Sequence, residues 1–110
     1  MASYQILCTT QEVDELIAAS HTNPVVIFKH STTCPISSLA KARVDKALRT
    51  EQIDYPVYLL DLLRYRTVSN YIAEELQVRH ESPQAIVIRA GKAGHVATHL
   101  NIDPEAFSLS

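Results

Sequence analysis

Residues 25–37 read VVIFKHSTTCPIS, an apolar run that leads through a short polar segment to Cys34 and Pro35. Residues 25–28 are short, apolar and rich in β-branched side chains, which predicts a central strand that is buried on both faces. After Cys34, apolar residues recur at helical spacing, and a proline in the first helical turn costs little because its missing N–H has no partner there. The stretch therefore predicts a buried strand that runs directly into an amphipathic helix, with Cys34 at the junction.

The segment before this strand predicts a helix. Thr9 and Glu12 have the spacing of a capping box, and apolar residues at helical spacing follow them. We expect this helix to end at Asn23-Pro24 and a first strand over residues 4–7 to precede it.

The segments after the cysteine continue to alternate. The sequence predicts a strand over residues 56–61, a helix around residues 68–76, a strand over residues 85–88, a turn over residues 90–94, a last strand near residues 95–99, and a short C-terminal helix capped by Asp103. Alternating strands and helices imply βαβ units followed by a terminal hairpin. We expect an α/β sandwich with a mixed β-sheet flanked by helices, formed by residues 1–110 as a single domain.

Composition excludes several classes of protein. Ten Lys and Arg residues against twelve Asp and Glu leave a formal net charge of −2, which argues against a nucleic-acid partner. No apolar run approaches the roughly twenty residues of a membrane-spanning helix, and the amino terminus does not resemble a secretory signal. The two cysteines are too few for a secreted disulfide framework, so we expect a cytoplasmic protein.

Cys34 is the strongest candidate for chemistry. At a helix N-cap its sulfur would lie near the N–H groups of Ile36 and Ser37, and the positive end of the helix dipole favours thiolate over thiol. The Ser37 hydroxyl, three residues on, is expected to donate to the same sulfur. The alternative from the residues alone is a buried cysteine that acts as a small hydrophobic side chain.

The segment FKHSTTCPIS at residues 28–37, together with Ser82-Pro83-Gln84 before the fourth strand, resembles the monothiol bacilliredoxins of the YtxJ type, which have a thioredoxin fold. The stretch Arg66-x-x-Ser69-Asn70 also resembles that family, and the resemblance covers nearly the whole chain. The chain departs from the family's pattern in its last helix, for which only residues 104–110 remain.

The resemblance implies an enzyme, a thiol–disulfide oxidoreductase that removes the small thiol bacillithiol from oxidised proteins. Cys34 would take the small thiol onto itself, and an outside thiol or a reductase would regenerate it. Ser37 stands where a dithiol thioredoxin has its resolving cysteine, so Cys34 and Ser37 are the implied catalytic pair. The implied substrate-binding residues are Thr33, Pro35, Ser82 and Pro83, with the Ser82–Pro83 peptide bond in the cis form.

The resemblance also implies the partners of the reaction. They are S-bacillithiolated client proteins and a low-molecular-weight thiol that acts as co-substrate, and no permanently bound cofactor is expected. Two other functions stay open at this point. The protein could use glutathione or another small thiol, with or without an iron–sulfur cluster, or it could be a non-catalytic thioredoxin-fold adaptor.

Other residues are weaker candidates. His30 could contribute charge near the sulfur or be a solvated residue at the strand end, and Lys29 should point to the opposite face of the strand. Cys8 is expected to lie too far away to pair with Cys34. No metal site is expected at His95 and His99, because they fall on a strand without a neighbouring cluster of cysteines or carboxylates.

Overall fold

Strands and helices alternate along residues 4–107, the part of the chain that the computed structural model describes. The strands are β1 (Gln5–Ile6), β2 (Val25–His30), β3 (Val57–Asp61), β4 (Gln84–Arg89) and β5 (Lys92–Thr98). The α-helices are α1 (Thr10–Ala19), α2 (Pro35–Arg49) and α3 (Arg66–Leu76), and two short 3-10 helices, His99–Asn101 and Pro104–Phe107, follow β5.

The five strands form one mixed sheet in the order β1-β3-β2-β4-β5. Strand β2 is parallel to β3 on one side and antiparallel to β4 on the other, while β5 pairs with β4 in a hairpin. Strand β2 therefore lies in the middle of the sheet. The mixed α/β sheet with a terminal hairpin is the architecture that the sequence predicts.

The alternating side chains of β2 supply both hydrophobic layers. Val26 and Phe28 pack into the core beneath α2, and Val25 and Ile27 pack into the core formed with α1 and α3. All four are at most 3% exposed, which confirms the prediction of a strand buried on both faces.

The amino-terminal helix begins as predicted. The Glu12 backbone N–H donates to Thr9 Oγ1 over 3.1 Å, and Glu12 Oε1 accepts from the Thr9 backbone N–H over 3.0 Å, which completes the capping box. The helix ends at Ala19 rather than at Asn23-Pro24, because Thr22 and Asn23 instead form a turn whose N–H groups bond to the carbonyl of Ala19.

The turn between β4 and β5 is shorter than the five residues predicted, 90–94. The connection is only Ala90 and Gly91, whose φ angles of 51° and 78° are those of a type I′ turn. Strand β5 starts at Lys92, and Gly94 is the extra residue of a bulge, since Val87 pairs with His95 and Ile88 with Ala93. The sequence obscured this turn because an alanine occupies a position at which glycine or asparagine is usual.

The two ends of the chain agree with the predictions as far as they are described. Strand β1 falls within the predicted residues 4–7, and the Glu105 N–H donates to Asp103 Oδ1 over 3.0 Å at the start of the last 3-10 helix. Residues 1–3 and 108–110 lie outside the described part of the chain. They include much of the amino terminus, for which no secretory signal is predicted, and the end of the predicted last helix. None of the helices within residues 4–107 is long and apolar enough to cross a membrane.

Ala90 generates a prediction about stability. Asparagine tolerates a positive φ better than alanine, so Ala90→Asn is expected to increase the free energy of unfolding by up to about 1 kcal/mol. Urea denaturation measures this change. The same substitution at Ala18, an exposed position within α1, is the control and should decrease the free energy of unfolding by about 0.5 kcal/mol, because asparagine is the poorer helix former. A decrease at both positions would contradict the strain assigned to Ala90.

Candidate functional site

Cys34 lies at the point where the central strand gives way to α2. The chain leaves β2 after His30, turns through residues 31–33, and begins α2 with Pro35 at its first position. Cys34 is the N-cap, with extended backbone angles, and its side chain is half-buried. Cys34 occupies the N-cap as predicted, and its sulfur makes no capping hydrogen bond to the helix.

The Ser82–Pro83 peptide bond is cis, as the resemblance implies. Lys29 near the end of β2 pairs with Gln84 at the start of antiparallel β4, which brings Pro83 to the same edge of the sheet as the segment that carries Cys34. Pro83 is buried, and its carbonyl accepts the His99 N–H over 2.9 Å. The Ser82 hydroxyl is buried and has no hydrogen-bond partner within residues 4–107. The two predicted halves of the site therefore share one sheet edge.

Ser37 is oriented differently from the prediction. Its side chain is completely buried, and Oγ lies 2.8 Å from His30 Nδ1 and accepts the Ser31 backbone N–H over 3.0 Å. The expected hydrogen bond from Ser37 to the Cys34 sulfur is absent from the part of the chain that the structure describes. The physical reason is that the strand end buries a ring nitrogen and a backbone N–H, and both need a hydrogen-bond partner.

His30 is part of the strand and is only 7% exposed, which overturns the alternative of a solvated residue. Burial, with a further contribution from the charge of Lys41, lowers the pKa of His30. At neutral pH the ring is therefore uncharged. The tautomer of the neutral ring sets the direction of this hydrogen bond: an Nδ1 without a proton accepts from the Ser37 hydroxyl, and a protonated Nδ1 donates to Ser37 Oγ.

Lys29 points to the opposite face, as predicted, but it is fully buried, which the sequence did not indicate. Its Nζ donates to the Ser69 carbonyl over 3.2 Å and lies 3.3 Å from His80 Nδ1. Burial lowers the pKa of Lys29 to about 8. A signal was present in the sequence, since a lysine directly after four buried strand residues has little chance of reaching solvent.

The remaining predicted residues flank the cysteine or lie apart from it. Thr33 and Pro35 are exposed on either side of Cys34, and Thr33 Oγ1 lies 3.2 Å from Ser31 Oγ. Cys8 follows β1, which β3 separates from β2, and both cysteines are free thiols. A hydrogen bond with the Cys8 side chain raises the pKa of Tyr65.

The two histidines near the end of β5 differ in their surroundings. His95 is exposed on β5, and His99 has left the strand with a φ of 54° and lies 3.7 Å from Glu81. Within residues 4–107, no three histidine, cysteine or carboxylate side chains are grouped as a metal ion would require.

Comparison with known proteins relates this arrangement to redox proteins. The chain matches the family model for monothiol bacilliredoxin BrxC over residues 5–107. It is 32% identical to a solved structure described as a candidate oxidoreductase with a thioredoxin fold, at a TM-score of 0.79 over 94% of this chain and 88% of that chain.

Thioredoxins of known structure are more distant. Fasciola hepatica thioredoxin is 19% identical, with a TM-score of 0.69 over 93% of this chain and 89% of that chain. Oxidised thioredoxin O2 from Arabidopsis thaliana is 16% identical, with a TM-score of 0.70 over 92% of this chain and 86% of that chain. These two similarities show the thioredoxin fold, which confirms the predicted fold class.

The contacts of Ser37 predict a structural cost for its removal. Ser37→Ala leaves His30 Nδ1 and the Ser31 N–H buried without their shared partner, and should lower the free energy of unfolding by about 1–3 kcal/mol. Urea denaturation at neutral pH measures the loss. Ser38 is the matched control, because it is exposed and its hydroxyl only reaches the Cys34 carbonyl at 3.4 Å. Equal effects of Ser37→Ala and Ser38→Ala would contradict the buried network.

The burial of Lys29 predicts a dependence of stability on pH. Its pKa is about 8 in the folded protein and about 10.4 in an unfolded chain, so between these values the unfolded state binds a proton that the folded state lacks. The free energy of unfolding should therefore rise with pH in this window, by up to about 1.4 kcal/mol per pH unit from this group. Urea denaturation of the native protein and of Lys29→Met from pH 8 to pH 10 measures how much Lys29 contributes to the slope of the free energy of unfolding against pH.

The control for this measurement is the exposed Lys46, at which the same substitution should leave the slope unchanged. Thiols and tyrosines that titrate in the same window are present in all three proteins and cancel in the comparison. A slope that is the same in Lys29→Met and in the native protein would show that the Lys29 amine is not desolvated.

Proposed function

The chain belongs to the monothiol bacilliredoxin family, and we propose that it removes bacillithiol from mixed disulfides on oxidised proteins through Cys34. The observation that carries the proposal is the position of Cys34. It is a free, half-buried thiol at the N-cap of α2, at the sheet edge that also holds cis-Pro83. Membership of a family of thioredoxin-fold oxidoreductases supports a redox role for that thiol.

The reaction proceeds in two exchanges. The Cys34 thiolate attacks the small-thiol sulfur of the client's mixed disulfide, a new disulfide forms on Cys34, and the client sulfur leaves as a thiolate. A second small thiol, as its thiolate, then attacks the same sulfur atom, and Cys34 leaves as a thiolate. The products are a reduced client and a small-molecule disulfide, so electrons balance without a bound cofactor.

Ser37 supports the monothiol form of this mechanism. It stands three residues after Cys34, carries no sulfur, and directs its hydroxyl at His30 and Ser31. Cys8 follows β1, which β3 separates from β2. Position 37 therefore offers no sulfur to resolve the adduct on Cys34, which waits for a thiol from outside.

The helix supports the leaving-group role of Cys34. Cys34 is the N-cap of α2, at the positive end of the helix dipole. Negative charge that develops on the sulfur departing in the second exchange is favoured at that end. The partners in this proposal are S-bacillithiolated clients and a low-molecular-weight thiol, and the reducing cytoplasm is the compartment in which both would be present.

The test is to mix the protein with a bacillithiolated client and follow both by intact-mass analysis. The native protein should gain one small thiol while the client loses one. Cys34→Ser should abolish the transfer, because Cys34 supplies the attacking sulfur in the proposed reaction. Cys8→Ser is the matched control, since it removes the other thiol and should leave both transfer and turnover with added bacillithiol largely intact.

Two results would contradict the proposal. Transfer by Cys34→Ser at the native rate would exclude Cys34 as the nucleophile. Loss of turnover in Cys8→Ser, with a single transfer still occurring, would make Cys8 the resolving thiol and the protein a dithiol enzyme. A client that carries glutathione, tested in parallel, shows whether the native protein distinguishes between the two small thiols.

A further inference from the structure

A cleft of about 310 Å³ opens at the ends of β2 and β3, on the opposite side of β2 from cis-Pro83. Its size is at the lower end of the roughly 300–1,000 Å³ range of small-molecule sites. The residues that matter for recognition are Ile6, Thr32, Lys41, Leu59, Asp61 and Arg64. None of these residues belongs to the predicted catalytic or substrate-binding set.

The cleft lies within reach of the nucleophile. Thr32, which is exposed and lines the cleft, precedes Cys34 by two residues. Two residues span at most about 7 Å even when fully extended, so the Cys34 backbone lies no farther than this from the Thr32 backbone. A small molecule attached to the Cys34 sulfur can therefore extend into the cleft.

The polar groups of the cleft differ in how fully they are paired. Lys41 Nζ is bonded at 3.2 Å to Asp45, so its charge is already compensated. The Arg64 guanidinium lies over the Tyr65 ring at 5.5 Å, and it has no carboxylate partner in the described part of the chain. Asp61 Oδ1 is buried and accepts no hydrogen bond within residues 4–107.

These groups define the ligand that the cleft suits. Arg64 favours a carboxylate, and the carboxylate of Asp61 favours a protonated amine or another N–H donor. Leu59 and the exposed Ile6, at 58% exposure, add an apolar wall. A compact molecule with one acidic group, one amino group and a carbon skeleton between them satisfies all three features.

We propose that this cleft holds the small-thiol half of the Cys34 mixed disulfide and favours a thiol that carries both a carboxylate and a protonated amine. The inference rests on the proposed function and deepens it. In thiol–disulfide exchange the attacking thiolate joins one sulfur while the other sulfur departs, so the small thiol stays on Cys34 while the client leaves. The small thiol therefore needs a place separate from the client, and the β3 side of Cys34 provides one.

The test uses four symmetrical disulfides that differ only in charge pattern. They are bis(2-hydroxyethyl) disulfide, which is neutral, dithiodipropionate, which carries carboxylates, cystamine, which carries amines, and cystine, which carries both. Each reacts with reduced protein in a Cys8→Ser background, and intact mass follows formation of the Cys34 adduct. Each rate is divided by the rate of the same disulfide with a short cysteine peptide, which removes intrinsic reactivity.

Each substitution is expected to lower the relative rate only for the disulfides that carry the charge which the replaced residue binds. Arg64→Gln should slow the relative reaction of dithiodipropionate and cystine by about three- to tenfold, the range expected for loss of one ordinary hydrogen bond. Asp61→Asn should slow cystamine and cystine in the same way. Neither substitution should change the rate with the neutral disulfide.

Arg79→Gln is the matched control. Arg79 is exposed in the loop before Pro83, on the β4 side of Cys34, and its replacement removes the same charge. Equal slowing by Arg64→Gln and Arg79→Gln would show general attraction of anions and overturn the proposal. Slowing by Arg79→Gln alone would place the small thiol on the Pro83 side and overturn it as well.

The proposed function is tested independently of this cleft. A native protein that shows the expected pattern with the four disulfides but takes no bacillithiol from a client would refute the proposed function and leave the cleft assignment intact. Arg64 is exposed, so its substitution keeps the experiment decisive even where Asp61→Asn impairs folding.

Discussion

The burial of β2 on both faces is the constraint on which the rest of the molecule depends. Val25 and Ile27 fill one hydrophobic layer, Val26 and Phe28 fill the other, and β3 and β4 pair with the strand's two edges. Each fully buried side chain of this kind contributes about 1.5–3 kcal/mol relative to an exposed one. The end of β2 is therefore held in place from four directions, and the segment that carries Cys34 starts from a fixed point.

The same burial encloses polar groups. Lys29 and His30 continue the strand into the interior, where each side chain needs a polar partner and where burial lowers the pKa of both. His30 finds Ser37, and Lys29 finds the Ser69 carbonyl and His80. Ser37 thus has a structural role beneath the cysteine, in addition to the absence of a second thiol at its position.

A monothiol mechanism places a demand on the surface around Cys34. In the proposed reaction the adduct waits for a second thiol, so the small thiol has to remain bound while the client departs. The two sides of β2 offer different chemistry for these tasks, with cis-Pro83 and the buried Ser82 hydroxyl on the β4 side and the charged cleft on the β3 side. The proposed assignment of client and small thiol to opposite sides follows from this division.

Features that depend on neighbouring residues are readable from the sequence alone. The order of elements, the capping box at Thr9, the buried strand and the N-cap position of Cys34 follow from short-range periodicity and backbone preferences, and the motif around Cys34 also implied the cis bond at Pro83. A pattern of this kind is readable because the residues that cause it are adjacent in the chain.

Contacts between groups that are distant in the chain depend on the fold as a whole. Lys29 and His80 are separated by 51 positions, and the cleft joins side chains from β1, β2, β3, α2 and two loops. The direction of the Ser37 hydroxyl was equally unreadable, because a hydroxyl bonds to whichever buried group lacks a partner, and burial is known only when all layers are assembled. Packing decides such contacts, since the free energy of a polar group depends on everything that excludes water from it.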